Sequence, residues 1–182
     1  MARPTKAVTV ARDLLDECEV RKAPVDLDRV VNYLSVDVRY AELEEVSGLT
    51  FHSDRGNRIL VNSSHAPTRR RFTLAHELGH HLLHPGHQLV VDSDVRVSRR
   101  DATSSLATQQ QEIEANAFAA ELLMPREFVR DHLSTLVGDS DEVDREQIVS
   151  ELAGRFDVSQ QAMEYRLINL GILPVHDSED ES

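Results

Sequence analysis

The residues His76-Glu77-Leu78-Gly79-His80 form an H-E-x-x-H sequence, which carries the clearest chemistry in the chain. On a helix, residues four apart lie one above the other on the same face, so His76 and His80 can bind one metal ion together. Zn²⁺ is the ion for which this pair is typical. Glu77 lies beside the metal without binding it, where a general base for the attacking water belongs. The pattern therefore predicts a catalytic zinc site.

A third zinc ligand is expected on a later helix, because a catalytic zinc usually has three protein ligands. Residues 109–123 have helical spacing, and Glu112 and Asn116 are four residues apart within them. Glu112 can face the metal while Asn116 accepts a hydrogen bond from the outer nitrogen of a ligating histidine. Glu114 points away from that position on a regular helix and is the alternative third ligand.

Other histidines and tyrosines are open to several roles. A zinc peptidase needs a donor that stabilises the tetrahedral intermediate. The sequence does not choose among four candidates for that donor, which are Tyr40, His52, His65 and Tyr165. We expect surface or capping roles for the histidines that follow the H-E-x-x-H sequence, which are His81, His84 and His87.

The elements that must position these residues are visible in the hydrophobic periodicity. An apolar stripe predicts a helix over 68–83, which carries both histidines of the motif. Residues 8–34 predict two helices separated by a break at 23–25, with Asp26 as the cap of the second. Alternation from Val36 onward, with a hairpin of 48–52 and 58–62, predicts a small antiparallel sheet of about three strands. Residues 86–108 are expected to form a long loop, although 89–91 could be a short strand.

Composition restricts the class of protein. The 182 residues suffice for one domain with a small appendage. The balance of 20 Lys+Arg against 32 Asp+Glu gives a net charge of −12, which disfavours nucleic acid as the main ligand. The single cysteine, Cys18, excludes a disulfide framework and fits a reducing compartment. We see no signal peptide and no apolar run of the ~20 residues that a membrane span needs, so we expect a cytoplasmic protein that binds no membrane.

Three motifs occur together in this chain. They are RFTLAHELGH at 71–80 with His84 following, ExEANxFAA at 112–120, and LLMP at 122–125. This combination resembles the ImmA/IrrE family of bacterial zinc metallopeptidases, over roughly residues 8–172. The resemblance implies that Zn²⁺ binds to His76, His80 and Glu112, and that Glu77 is the general base.

The resemblance also implies a fold. It predicts an α+β protein, namely a mostly helical, minimal zincin-like domain with a small sheet and a short helical C-terminal region. We expect the metallopeptidase domain to span 1–137, with a helix-turn-helix-like region packed on it over 138–174. An acidic disordered tail is expected over 175–182.

The C-terminal region resembles a helix-turn-helix over residues 148–167, but its charge does not suit DNA. Residues 144–170 contain three arginines and five acidic residues, which are Arg145, Arg155 and Arg166 against Asp144, Glu146, Glu151, Asp157 and Glu164. This is a weak surface for phosphate contacts, so we expect no specific nucleic-acid binding. We expect this region instead to dock a protein substrate, with 86–108 covering the site until then.

The sequence thus predicts a zinc-dependent endopeptidase. By resemblance its substrate is a helix-turn-helix transcriptional repressor encoded nearby, whose cleavage derepresses a mobile element or a stress regulon. The alternative is a non-catalytic, repressor-binding regulator or toxin–antitoxin component with a structural zinc. Glu77 favours the enzyme, because a structural site has no use for a base and usually has a fourth protein ligand.

Overall fold

Seven helices and a four-stranded sheet make up the described residues of the computed structural model, which are 4–52, 56–85, 89–93, 102–138 and 144–174. The α+β class predicted from the sequence is confirmed. Within these ranges no helix combines the length and the apolar composition that crossing a membrane requires. In chain order the elements are α1 (Lys6–Glu17), α2 (Leu27–Leu34), β1 (Asp37–Ala41), β2 (Val46–Phe51), β3 (Arg58–Asn62), α3 (Pro67–Leu83), β4 (Leu89–Ser93), α4 (Ala102–Leu123), α5 (Arg126–Gly138), α6 (Arg145–Phe156) and α7 (Gln160–Asn169).

The sheet has the strand order β1-β3-β2-β4 and is mixed rather than wholly antiparallel. The predicted hairpin is confirmed, since β2 and β3 are antiparallel with Gly48 opposite Val61. The antiparallel prediction is wrong for β1, which pairs in parallel with β3. The reason is that β3 lies between β1 and β2. Strand β1 therefore pairs with β3 and not with β2, the strand that follows it along the chain. The side chain of Asn62 donates to the carbonyls of Leu43 and Val46, which holds the β1–β2 connection across the end of β3.

The predicted long loop at 86–108 is wrong over two of its parts, and in the first of them the alternative of a short strand at 89–91 is confirmed. Residues 89–93 form β4, which pairs in antiparallel fashion with β2. Helix α4 begins at Ala102 rather than at Gln109. Residues 102–108 contain several Ser and Thr, which are residue types common in loops. The sequence analysis therefore missed this first part of the helix. Residues 86–88 and 94–101 lie outside the described ranges.

The core is built where α3 crosses α4. Leu78 and Phe118 are fully buried there. Gly79 permits the close approach, because a Cβ at this position would lie 3.1 Å from both Ala115 Cα and Phe118 Cδ1. Buried side chains of α6 and α7 belong to the same cluster, among them Phe156. The helix that carries the histidine pair is therefore fixed on the helix that carries Glu112.

Candidate metal centre

Helices α3 and α4 bring three potential metal ligands together. His76 Nε2 lies 3.0 Å from His80 Nε2. The Glu112 carboxylate reaches both rings, with Oε2 3.2 Å from His76 Nε2 and Oε1 3.2 Å from His80 Nε2. Both histidines are buried, whereas the Glu112 side chain is 38% exposed. The three donors therefore form a compact triangle that is reachable from solvent on the Glu112 side.

This donor set fits a zinc ion. Tetrahedral zinc with bonds of about 2.0–2.2 Å needs donors about 3.3–3.5 Å apart, slightly more than the separations seen here. Two imidazoles and one carboxylate are also a donor set of catalytic zinc sites. Across the described ranges, no other group of three His, Cys, Asp or Glu side chains converges in this way.

Asn116 orients one of the rings. Its side-chain oxygen lies 3.0 Å from His76 Nδ1. Because an amide oxygen only accepts hydrogen bonds, Nδ1 carries a proton, and Nε2 is the ring nitrogen left for a metal ion. His76 Nε2 faces His80 and Glu112, as metal binding requires.

The carboxyl group of Glu112 is held in its ionised form. Burial by itself would raise the pKa of this group. The hydrogen bonds and charges of His76 and His80 outweigh burial and bring the pKa to about 2. Glu112 is therefore a carboxylate at neutral pH, which is the form that binds metal.

Glu114, the alternative third ligand, lies apart from this triangle. Its Oε1 accepts a hydrogen bond of 2.9 Å from Gln110 Nε2. Its Oε2 lies 3.6 Å from His84 Nε2. The structure thus brings Glu112, and not Glu114, to the two histidines of the motif.

Glu77 follows His76 directly on α3, and its side chain is packed against β2. It is completely buried, and its Oε2 accepts a short hydrogen bond from the hydroxyl of Thr50. Gly48, two residues earlier on β2, leaves the space into which the other carboxylate oxygen fits. Sequence reasoning missed the roles of Thr50 and Gly48, because these roles depend on how β2 packs against α3.

The candidates for a further donor are dispersed. His52 stacks on His81, with ring centroids 4.9 Å apart and an angle of 14° between the planes. Burial, and then the neighbouring His52, lower the pKa of His81 and favour its neutral form. The remaining three candidates lie elsewhere: Tyr40 lies over the Arg70 guanidinium, His65 precedes α3, and Tyr165 is exposed on α7. His87 lies outside the described ranges.

A buried ion pair attaches the C-terminal helices to α4. Arg166 of α7 forms a short ion pair with Glu121 of α4, and its Nε donates to the carbonyl of Met124 at 3.0 Å. Arg12 of α1 binds the other oxygen of Glu121 at 2.8 Å. Helix α7 is therefore tied to the helix that carries Glu112. The charge count of residues 144–170 includes Arg166 among the arginines available to phosphate, whereas the structure buries it.

Comparison with known proteins gives a family match and several relatives. Residues 31–168 match the model of a peptidase family described as IrrE N-terminal-like domain. Radiation response metalloproteases named IrrE from Deinococcus deserti and Deinococcus radiodurans are 37% and 34% identical over 118 and 120 residues. The matches cover 64% and 65% of this chain but only 38% and 33% of those proteins. The chain thus spans little more than a third of the length of these relatives.

Two further similarities extend over more of the chain. Uncharacterized immunity region protein 2 of Bacillus phage phi105 is 28% identical over 132 residues, which are 72% of this chain and 78% of that protein. The solved structure of a Mycobacterium tuberculosis transcriptional regulator superposes with a TM-score of 0.58 at 16% identity. That match covers 88% of this chain and 46% of the regulator, and it indicates a shared fold.

Proposed function

This chain belongs to the metallopeptidase family of IrrE N-terminal-like domains, and on that premise we propose that it is a zinc-dependent endopeptidase. The observation that carries the proposal is the convergence of His76, His80 and Glu112 from two helices, with the buried Glu77 directly after His76 on α3. A structural zinc site usually has four protein ligands. The three donors that converge in the described residues leave a coordination position for water and substrate.

The reaction follows from the roles that these residues can take. A zinc ion held by His76, His80 and Glu112 would act as a Lewis acid towards the scissile carbonyl and the attacking water. Asn116 keeps the His76 ring in the tautomer that presents Nε2. The Glu77 carboxylate accepts a proton from the attacking water and delivers it to the nitrogen of the leaving amine. Peptide hydrolysis therefore needs no covalent intermediate with the protein.

The proposed substrate is a helix-turn-helix transcriptional repressor in the cytoplasm. The family resemblance implies this substrate and places its cleavage in a mobile element or a stress regulon. The names of the relatives agree with both settings, since two refer to a radiation response and one to a phage immunity region. Cys18 is unpaired by any disulfide and buried, which suits a reducing compartment.

The test uses the repressor encoded in the reading frame adjacent to this gene. Zinc-loaded chain and purified repressor are incubated, and cleavage is followed by intact mass and by sequencing of new N-termini. We expect cleavage at one or a few bonds and none of casein. Glu77→Gln should retain zinc and fold but lose about 10²–10⁴-fold in rate, because an amide cannot accept the proton of water. Activity of Glu77→Gln within a few-fold of the unaltered chain would remove Glu77 from the mechanism.

A further inference from the structure

We propose that strand β2 positions the general base, with Thr50 as the residue that holds the Glu77 carboxylate in place. This inference rests on the proposed function, and it adds a positioning residue to that reaction. Thr50 is not one of the three potential metal ligands. It acts through Glu77 alone.

The contact between Thr50 and Glu77 is fully enclosed. Both residues have no exposed surface, so no water competes for the hydrogen bond between them. Thr50 Oγ1 also lies 3.3 Å from the backbone carbonyl of Glu77. A threonine hydroxyl has one proton to donate, and the shorter contact is with the carboxylate. A hydroxyl that donates to a carboxylate forms one of the stronger hydrogen bonds in proteins.

Gly48 provides the second half of this arrangement. Residues 48 and 50 lie on the same face of β2, since side chains alternate along a strand. A Cβ at position 48 would lie 2.7 Å from Glu77 Oε1 and 2.9 Å from Glu77 Cγ. Real Cβ atoms essentially never come this close to another heavy atom, so a side chain at position 48 would displace the carboxylate. One residue thus makes room for the carboxylate and the other fixes its orientation.

This arrangement matters because proton transfer is sensitive to geometry. A glutamate side chain has three rotatable bonds, and a misplacement of about 1 Å can cost about 10²-fold in rate. Catalytic groups are held by neighbours whose own conformations are fixed by packing and hydrogen bonds. Thr50 is β-branched and buried, and therefore has few conformations available.

The experiment compares three variants of the full chain. Thr50→Val removes the hydroxyl at nearly constant volume, and Thr50→Ser keeps it. Ser47→Ala is the matched control, because Ser47 is a buried hydroxyl on the same strand that accepts a hydrogen bond from Arg69 instead. The probe is a library of amine-blocked tryptic peptides from a bacterial proteome. The best cleaved peptide is then resynthesised with a fluorophore and quencher to measure kcat and KM, and zinc content is determined for each variant.

We expect Thr50→Val to lower kcat by about 10–100-fold with zinc content and KM nearly unchanged. Thr50→Ser should restore kcat to within a few-fold, and Ser47→Ala should not reduce it. A crystal structure of Thr50→Val should show the Glu77 carboxylate displaced. Full kcat in Thr50→Val, or a carboxylate that stays within about 0.5 Å of its place, would overturn the inference. If the unaltered zinc-loaded chain cleaves neither peptides nor the repressor, the proposed function fails, and the crystal structure still decides the role of Thr50.

Discussion

Removing Arg166 should destabilise the whole fold, although this residue lies at the end of the helix-turn-helix-like region. The side chains of Arg166 and Glu121 are 8% and 2% exposed. Arg166→Ala leaves the Glu121 carboxylate buried with Arg12 as its remaining ion-pair partner among the described residues. The Arg12 side chain is itself 38% exposed, so its charge is better screened by water.

The size of the effect follows from the burial of the pair. Breaking a buried ion pair by removing one partner costs about 3–5 kcal/mol. The whole domain is expected to have an unfolding free energy of about 5–15 kcal/mol, so the loss is a large fraction of it. For a chain of this length the melting temperature should fall by about 6–20 °C, at about 2–4 °C for each kcal/mol.

The dependence of this loss on pH identifies its cause. Burial raises the pKa of Glu121, but the charge of Arg166 and hydrogen bonds from Arg12 and Arg166 lower it overall. The pair therefore stabilises the unaltered chain fully above the ordinary glutamate pKa of about 4.3, and this stabilisation is lost as pH falls through the lower folded-state pKa. In Arg166→Ala one of the two groups that lower the pKa of Glu121 is removed, so this pKa lies higher than in the unaltered chain. The stabilisation that depends on Arg166 is lost as pH falls, so the deficit of the variant should narrow below about pH 4.3.

Urea unfolding followed by circular dichroism measures these free energies. The control is the same Arg166→Ala change in a Glu121→Gln background, where no charge is left uncompensated and the additional cost should be well below 3 kcal/mol. A loss under about 1 kcal/mol in the single variant, or a deficit that does not change with pH, would refute the reasoning. A deletion of residues 145–182 would remove the region that we expect to dock the substrate, but it would also remove Arg166. A loss of activity in that variant could therefore come from lost docking or from a less stable α4.

Three further predictions concern the metal, the helix crossing and DNA. Glu112→Ala should lose most of its zinc by elemental analysis while Glu114→Ala keeps about one ion per chain, and the opposite result would make Glu114 the ligand. Gly79→Val should lower the free energy of unfolding in urea by about 1–3 kcal/mol, because its side chain would press on Ala115 Cα. Gly154→Val, at an open helical position, should cost much less, and equal losses would argue against this helix contact. Fluorescence anisotropy should detect no sequence-dependent DNA binding by α6 and α7 below about 1 μM at physiological salt, whereas tighter binding would favour a DNA-binding regulator.

The faces that carry the histidine pair on α3 and Glu112 and Asn116 on α4 could be predicted, because each pair has a spacing of four residues within one helix. The spacing of four between His76 and His80 placed both rings on one face. The same spacing between Glu112 and Asn116 placed a carboxylate and an amide on one face of α4. The structure brings these two faces together. The ligand and base roles themselves remain predictions.

Contacts between distant elements could not be predicted from the sequence. Thr50 and Glu77 meet because of how β2 packs on α3, and no periodicity records that packing. Glu121 and Arg166 are charged residues on helices, and such residues usually face water. Likewise, alternation predicted β1 as a strand but contained no information on which strand it would pair with. In each case the partner lies far away along the chain and is selected by the folded structure.

Because β3 lies between β1 and β2, the sheet cannot grow strand by strand in the order in which the ribosome delivers it. β1 emerges first, but Arg58, the partner of Asp37, follows 21 residues later. A local hairpin such as β2–β3 forms within about 1–10 μs. Strand β1 can pair only with β3, and therefore only after β3 has been made. Helix α3 follows immediately and meets β2 already in place. The strand and helix that meet around Glu77 therefore leave the ribosome before the helix that carries Glu112.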